Sequence, residues 1–183
     1  MGDLTALTGD YTIDPAHSSI GFTVRHAMVT NVRGSFPEHE GTLHLDGADP
    51  SRSTASIDVT IASVDTGKPD RDAHLRSADF FDAETHPTMA FRSTSAERVD
   101  DDNYRITGDL TIKDVTRPIT IDLELGGSAT DVYGSERVGF EGRAELLRSD
   151  WGLTWNAALE TGGVMVSDKV KLTFDISAVK NKD

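Results

Sequence analysis

Ile119-Thr120-Ile121-Asp122-Leu123-Glu124-Leu125 alternates apolar and polar side chains without a break. A period of two gives a β-strand one dry face and one wet face, and a series of such strands has to roll up to hide the dry sides. Outward from this stretch the same parity recurs. Tyr104, Ile106, Leu110 and Ile112 alternate with Arg105, Thr107, Asp109 and Thr111. Further on, Val138, Phe140, Ala144 and Leu146 stand opposite Arg137, Glu141, Arg143 and Glu145. Val170, Leu172, Phe174 and Ile176 stand opposite Lys169, Lys171, Thr173 and Asp175. Upstream, residues 11–13 and 17–26 read as one strand interrupted at Asp14-Pro15, as proline does at a bulge or edge. Three more follow: residues 32–45 with a bend at Gly34 or Gly41, residues 54–61, and a strand holding Met89 and Phe91. The connections are mostly short and rich in Gly, Asp, Asn and Pro, the chemistry of antiparallel hairpins. Eight strands that close on themselves leave no free edge and enclose room for one small ligand. The expectation is therefore an all-β, eight-stranded antiparallel barrel, with a solid two-sheet sandwich as the alternative.

The 183 residues suit one domain with a full core, expected over residues 11–178, with a flexible tail at 1–10 and another at 179–183. A net charge of −13, with 18 basic residues scattered among 31 acidic ones, excludes a phosphate-backbone binder and would repel an anionic membrane surface. Without cysteine there are no disulfides, thiol nucleophiles or thiolate metal sites. The first residues carry no basic segment followed by an apolar run, so the expectation is a cytoplasmic protein. No stretch approaches the roughly 20 apolar residues of a membrane span.

Two connections are long, residues 62–87 and 149–167. In the first, a short helix is expected over residues 70–82, capped by Asp70 or Asp72, with Leu75, Ala78 and Phe81 on one face. The second holds Trp151 and Trp155, with a helical segment over residues 153–160 ahead of Gly162-Gly163. Their aromatics cover a barrel end as a lid, or plug the bottom of an ordinary core.

Motifs for chemistry are missing. There is no nucleophile elbow and no phosphate-binding glycine loop, and Thr66-Gly67-Lys68 is followed by Pro69. His17 and His26, and His39 and His44, are spaced so that each pair falls on opposite strand faces, which cannot chelate without a bulge. Asp100-Asp101-Asp102-Asn103 is a solvated turn, because Arg105 stands where a calcium loop needs glycine. No catalytic residue, metal or cofactor is expected. What remains is the inward face. Ile20, Phe22, Val24, Phe36, Ile57, Val59, Phe81, Met89, Phe91, Leu110, Phe140, Leu146, Trp151 and Trp155 are the candidate lining of an apolar pore. By parity His26 and Arg148 point inward near strand ends, where they would contact a ligand's polar head, Arg148 suiting paired oxygens. An ion pair between Arg148 and a carboxylate is the structural alternative.

Four segments in this order resemble the YceI-like family of polyisoprenoid-binding, lipocalin-like proteins. They are Tyr11-Thr12-Ile13-Asp14-Pro15-Ala16-His17-Ser18-Ser19-Ile20-Gly21-Phe22-Thr23-Val24-Arg25-His26 with Gly34-Ser35-Phe36; Leu75-Arg76-Ser77-Ala78-Asp79-Phe80-Phe81-Asp82 with His86-Pro87-Thr88-Met89-Ala90-Phe91; Gly108-Asp109-Leu110-Thr111-Ile112-Lys113-Asp114-Val115-Thr116-Arg117-Pro118; and Arg148-Ser149-Asp150-Trp151-Gly152-Leu153. Asp114 departs from the glycine more usual there. The resemblance implies a lipocalin-like barrel whose pore takes a long isoprenoid or similar amphiphilic lipid, pairing into homodimers, and no catalytic residues. Many members look periplasmic, whereas this chain shows no leader. A non-catalytic lipid carrier is the leading function. The alternatives are an enzyme on a lipid-like substrate with His26 as base, or a stress-related interaction protein with a solid interior and no ligand.

Overall fold

The computed structural model describes residues 4–157 and 165–182. Its strands are β1 (Gly9–Ile13), β2 (Ser19–His26), β3 (Thr30–Ser35), β4 (His39–Leu45), β5 (Thr54–Thr60), β6 (Thr88–Arg98), β7 (Asn103–Ile112), β8 (Val115–Thr130), β9 (Glu136–Leu147) and β10 (Val166–Lys180). The order β1-β4-β5-β6-β7-β8-β9-β10, with β10 pairing back onto β1, closes an eight-stranded antiparallel barrel. β2 and β3 extend from it at one end.

The eight runs read from the sequence become ten strands because two of them are broken. β10 spans 15 residues. Along one edge it pairs with β9; along the other it pairs first with β2, through Val170–Asp175, and then with β1, through Ala178–Lys180. β1 and β2 are thus two halves of one stave, parted where the Asp14 carboxylate accepts from the Ala16 amide and starts a 3₁₀ turn at Pro15–His17. β3 and β4 are parted at Phe36-Pro37-Glu38. This break, rather than a bend at Gly34 or Gly41, interrupts the second stave.

The Asp14 carboxylate also accepts from the Arg137 guanidinium at 2.9 Å, and Asp131 accepts from the other side of Arg137 at 2.8 Å. Arg137 holds both carboxyls below the ordinary carboxylate value of 3.8, with His17 adding to the effect at Asp14. A depressed carboxyl stabilises the fold above its unfolded value, and that contribution disappears as pH falls through the folded value. Arg137→Gln is therefore expected to lower the urea midpoint at pH 7, with the gap from wild type shrinking as the pH is taken from 5 towards 3. A gap constant over that range would show that the cluster carries no pH-linked stability.

The described parts of the two expected tails, residues 4–10 and 179–182, are built into the barrel. Residues 5–7 form a 3₁₀ turn, and β1 already begins at Gly9. The Thr8 hydroxyl accepts from the Gly47 amide at 2.9 Å, and the Tyr11 hydroxyl donates to the Leu7 carbonyl at 2.9 Å. Leu4 and Leu7 are apolar and find a barrel end to cover, which is the reason this segment orders. At the other terminus Val179 and Lys180 pair with Thr12 and Tyr11, and the Asn181 amide donates to the Asp10 carbonyl. Gly47 has backbone pressed against it: a Cβ there would sit 1.9 Å from the Leu4 carbonyl oxygen. Gly47→Ala is expected to push the N-terminal turn away and cost about 1–3 kcal/mol, seen as a lower urea midpoint and faster proteolysis before Gly9.

The helix of the first long connection, α1 (Pro69–Arg76), starts and ends earlier than its sequence signals suggest. Proline stands at its first position and Lys68 is the cap, so neither Asp70 nor Asp72 caps it. Asp72 instead accepts from the Thr66 amide at 2.8 Å and hydroxyl at 2.6 Å. The helix stops because the Ser77 amide and hydroxyl both return to the His74 carbonyl. The face expected to hold Leu75, Ala78 and Phe81 is therefore split: Ala78 is exposed and Phe80 is buried in its place. In the second long connection, Arg148–Trp151 is a 3₁₀ turn closed by Gly152 at φ 78°. Residues 153–157 are not helical, and the remainder of the segment expected over 153–160, with Gly162-Gly163, lies outside the described residues.

Candidate functional site

The inward faces of the staves enclose two apolar chambers. The first, about 150 Å³, lies beneath α1 and the start of the second long connection. The second, about 110 Å³, lies at the end covered by Leu4 and Leu7. Ile57, Phe91, Ile121 and Phe174 line both, so the chambers meet at a waist drawn from β5, β6, β8 and β10. Gly108 seats one side of the waist: a Cβ on it would meet the Phe91 ring at 2.5 Å, so the ring lies against bare β7 backbone.

Of the residues singled out in the sequence, Ile20, Phe22, Val24, Phe36, Ile57, Val59, Phe81, Met89, Phe91, Leu110, Leu146 and Arg148 line the first chamber. Phe140 lines the second. Three lie elsewhere. Trp151 is a buried plug, its indole donating to the Leu110 carbonyl at 2.9 Å. Trp155 packs edge-on against the His74 ring at 4.6 Å and on Phe80 at 5.3 Å. His26 ends β2, exposed, paired with Val166 and Thr30. Parity says which way a side chain leans, but His26 is exposed at the rim and only its cross-strand partner Val166 lines the chamber.

Lining residues the sequence reading did not name as a site include Phe80, Leu4, Leu7 and Tyr104. Burial pushes the Tyr104 phenol above its usual range, opposed by the Arg98 guanidinium lying over its ring. The alternation of β7 was the available signal, since it turned Tyr104 inward together with Ile106 and Leu110.

Arg148 is 6 % exposed. Its Nε donates to the Ser167 carbonyl at 3.0 Å, its Nη1 to Leu153 at 2.6 Å and Trp155 at 2.9 Å, and its Nη2 to Val166 at 3.2 Å. No carboxylate pairs with it among the described residues: Asp168, the acid that acts on it, accepts from the Ser149 amide and hydroxyl. The expected alternative of a carboxylate ion pair is replaced by a clamp on main-chain carbonyls. Burial lowers its pKa, opposed by Asp168, yet a guanidinium stays charged. Among the described residues no group of three His, Asp or Glu is placed to hold a metal ion, and no helix is long and apolar enough to cross a membrane.

A closed eight-stranded antiparallel barrel with an apolar bore defines a lipocalin-like protein. The YceI-like domain family matches residues 11–178, and the chain belongs to that family. It is 37 % identical over 177 residues to a UPF0312 protein of Ectopseudomonas mendocina, covering 96 % of this chain and 90 % of the relative. The fold superposes on Burkholderia cenocepacia BcnA with a TM-score of 0.79 at 23 % identity, over 90 % of this chain and 98 % of that one. It also superposes on a polyisoprenoid-binding domain of Saccharophagus degradans, with a TM-score of 0.70 at 15 % identity, over 93 % of this chain and 98 % of that one.

Proposed function

We propose that the protein binds and carries a long-chain isoprenoid or similar amphiphilic lipid in its bore and does no chemistry on it. The observation that carries this reading is the pair of apolar chambers meeting at a waist of Ile57, Phe91, Ile121 and Phe174. Each chamber is smaller than the roughly 300–1,000 Å³ of an ordinary small-molecule site. Two small chambers in line suit a thin, flexible chain that spans both rather than a fused-ring lipid. Burying such a chain contributes about 0.8 kcal/mol per CH₂ before ordering costs are subtracted, so a few isoprene units suffice for affinity. The Saccharophagus degradans domain, described as polyisoprenoid-binding, has the same fold.

A carrier without catalysis is supported by how the charged wall residues are used. Asp46 accepts from the Ala48 and Asp49 amides, Arg105 donates to Asp122, and Arg148 is committed to carbonyls. The test is mass spectrometry of an organic extract of freshly purified protein. One dominant prenyl lipid at close to one per chain is expected. An extract free of lipid, together with no uptake of added polyprenol, would overturn the proposal.

A further inference from the structure

We propose that the tip of the β2–β3 hairpin docks the protein on an anionic lipid surface. From Pro15 to Pro37 the chain has no aspartate or glutamate, although it holds 31 of them in 183 residues. That acid-free stretch is the hairpin. In the register of the sheet Lys171, Thr23 and Arg33 lie in one row across β10, β2 and β3, and Arg25 is two residues along β2 on the same face. Arg25, Arg33 and Lys171 are exposed and make no ion pair among the described residues. Among the described residues, Glu145, which stands opposite Lys171 in the register, pairs with Lys169, and Asp168 accepts from Ser149.

The loop at the end of this basic ribbon is apolar. Met28 is 56 % exposed and Val29 76 %. Ala27 and Met28 hold positive φ of 53° and 59°, where Asn or Gly would sit at lower cost. The chain accepts this strain and presents hydrophobic side chains to solvent at the same point. Basic residues behind an apolar tip are the chemistry that anionic headgroups over an acyl layer recognise. The tip is also beside the first chamber, whose lining includes Val24 and Val166, and the Ala27 amide donates to the Met165 carbonyl at that rim. The surplus of negative charge lies elsewhere on the molecule, so it orients this end towards the surface rather than preventing approach.

The β8–β9 loop supplies an internal control. Val132 and Tyr133 are more exposed still, at 93 % and 86 %, but the basic residues behind them, Arg137 and Lys180, are already paired with Asp131 and Glu136, so that tip has no free basic ribbon to offer an anionic surface.

The proposal does not depend on what the bore holds, because the readout is vesicle binding alone. The full chain is floated with phosphatidylcholine vesicles with and without 30 % phosphatidylglycerol. Binding is expected only to the anionic vesicles, weakening as salt is raised. Met28→Asp with Val29→Asp is expected to weaken it more than ten-fold, as is Arg25→Glu with Arg33→Glu, since each basic residue at such a surface contributes about five-fold. Val132→Asp with Tyr133→Asp should bind as wild type. All three pairs change exposed loop or outer-face residues, and circular dichroism checks that each is folded. No binding to anionic vesicles, equal binding by the hairpin variants, loss in the Val132 and Tyr133 variant, or self-association through the hairpin in place of vesicle binding would each overturn it.

Discussion

Arg148→Ala is expected to lower the unfolding free energy by about 4 kcal/mol, one of the two largest effects of any single change in this barrel. The guanidinium donates to four main-chain carbonyls drawn from residues 153, 155, 166 and 167. It thereby fastens both ends of the second long connection to the end of β9. Each bond from a charged donor contributes on the order of 1.5–3 kcal/mol, and the carbonyls nearer solvent recover part of that from water when the donor is removed. The Phe80 ring, 6.0 Å from the guanidinium carbon, loses a cation–π partner as well. Arg148→Lys is expected to recover little, because one ammonium on a flexible stem cannot reproduce a planar fork aimed at four oxygens. Urea unfolding of both variants decides the matter. A drop below about 1 kcal/mol for the alanine variant would mean that the carbonyls find other donors and that the clamp is dispensable.

The same residue shows where sequence reading reaches and where it stops. Alternation makes the barrel legible, because every wet residue along a strand marks the dryness of its neighbours, and inward placement of Phe22, Phe91 and Leu110 follows from parity alone. Arg148 follows too, being in phase with Leu146. Its partners do not, since carbonyls carry no sequence signal and two of the four, on Val166 and Ser167, lie beyond hairpin range. Proline at position 15 announces the break in the first stave, and Pro37 announces the second less plainly, because Gly34 and Gly41 compete as bend candidates. The N-terminal turn was illegible for another reason. Leu4 and Leu7 among Thr5, Ala6 and Thr8 show no strand parity, and only the presence of an open barrel end makes their burial worthwhile. The waist emerges from the crossing of four staves at one height, which requires register, and register is fixed only when the sheet closes.

Phe91→Asp is expected to reduce lipid loading at least 100-fold, and to cost about 4 kcal/mol in stability, because it puts a carboxylate where both chambers meet. Phe91 is 6 % exposed and faces Leu110 and Ile57 across the neighbouring strands. An ionised group there finds no donor in walls made of isoleucine, phenylalanine and leucine, and draws water into the path an acyl or prenyl chain would take. Since this variant can lose its fold outright, a second one asks the same question without charge. Ala55 lines the second chamber from β5, and Ala55→Phe adds a ring to a space of about 110 Å³. If that space is empty in the unloaded protein, the ring is accommodated with a stability change within about 1 kcal/mol, whereas an already filled space would make it cost about 1–3 kcal/mol through overpacking. Loading is then expected to shift to shorter chains, with long polyprenols weakened about ten-fold and short ones held as in wild type, because only the first chamber remains. Phe91→Leu keeps the waist apolar and widens it, and is expected to load normally. Uptake of polyprenols of graded length by the four proteins, followed by extraction and mass spectrometry, separates the cases. If folded Ala55→Phe takes long chains as well as wild type does, the guest never passes the waist, and the second chamber is no part of the site.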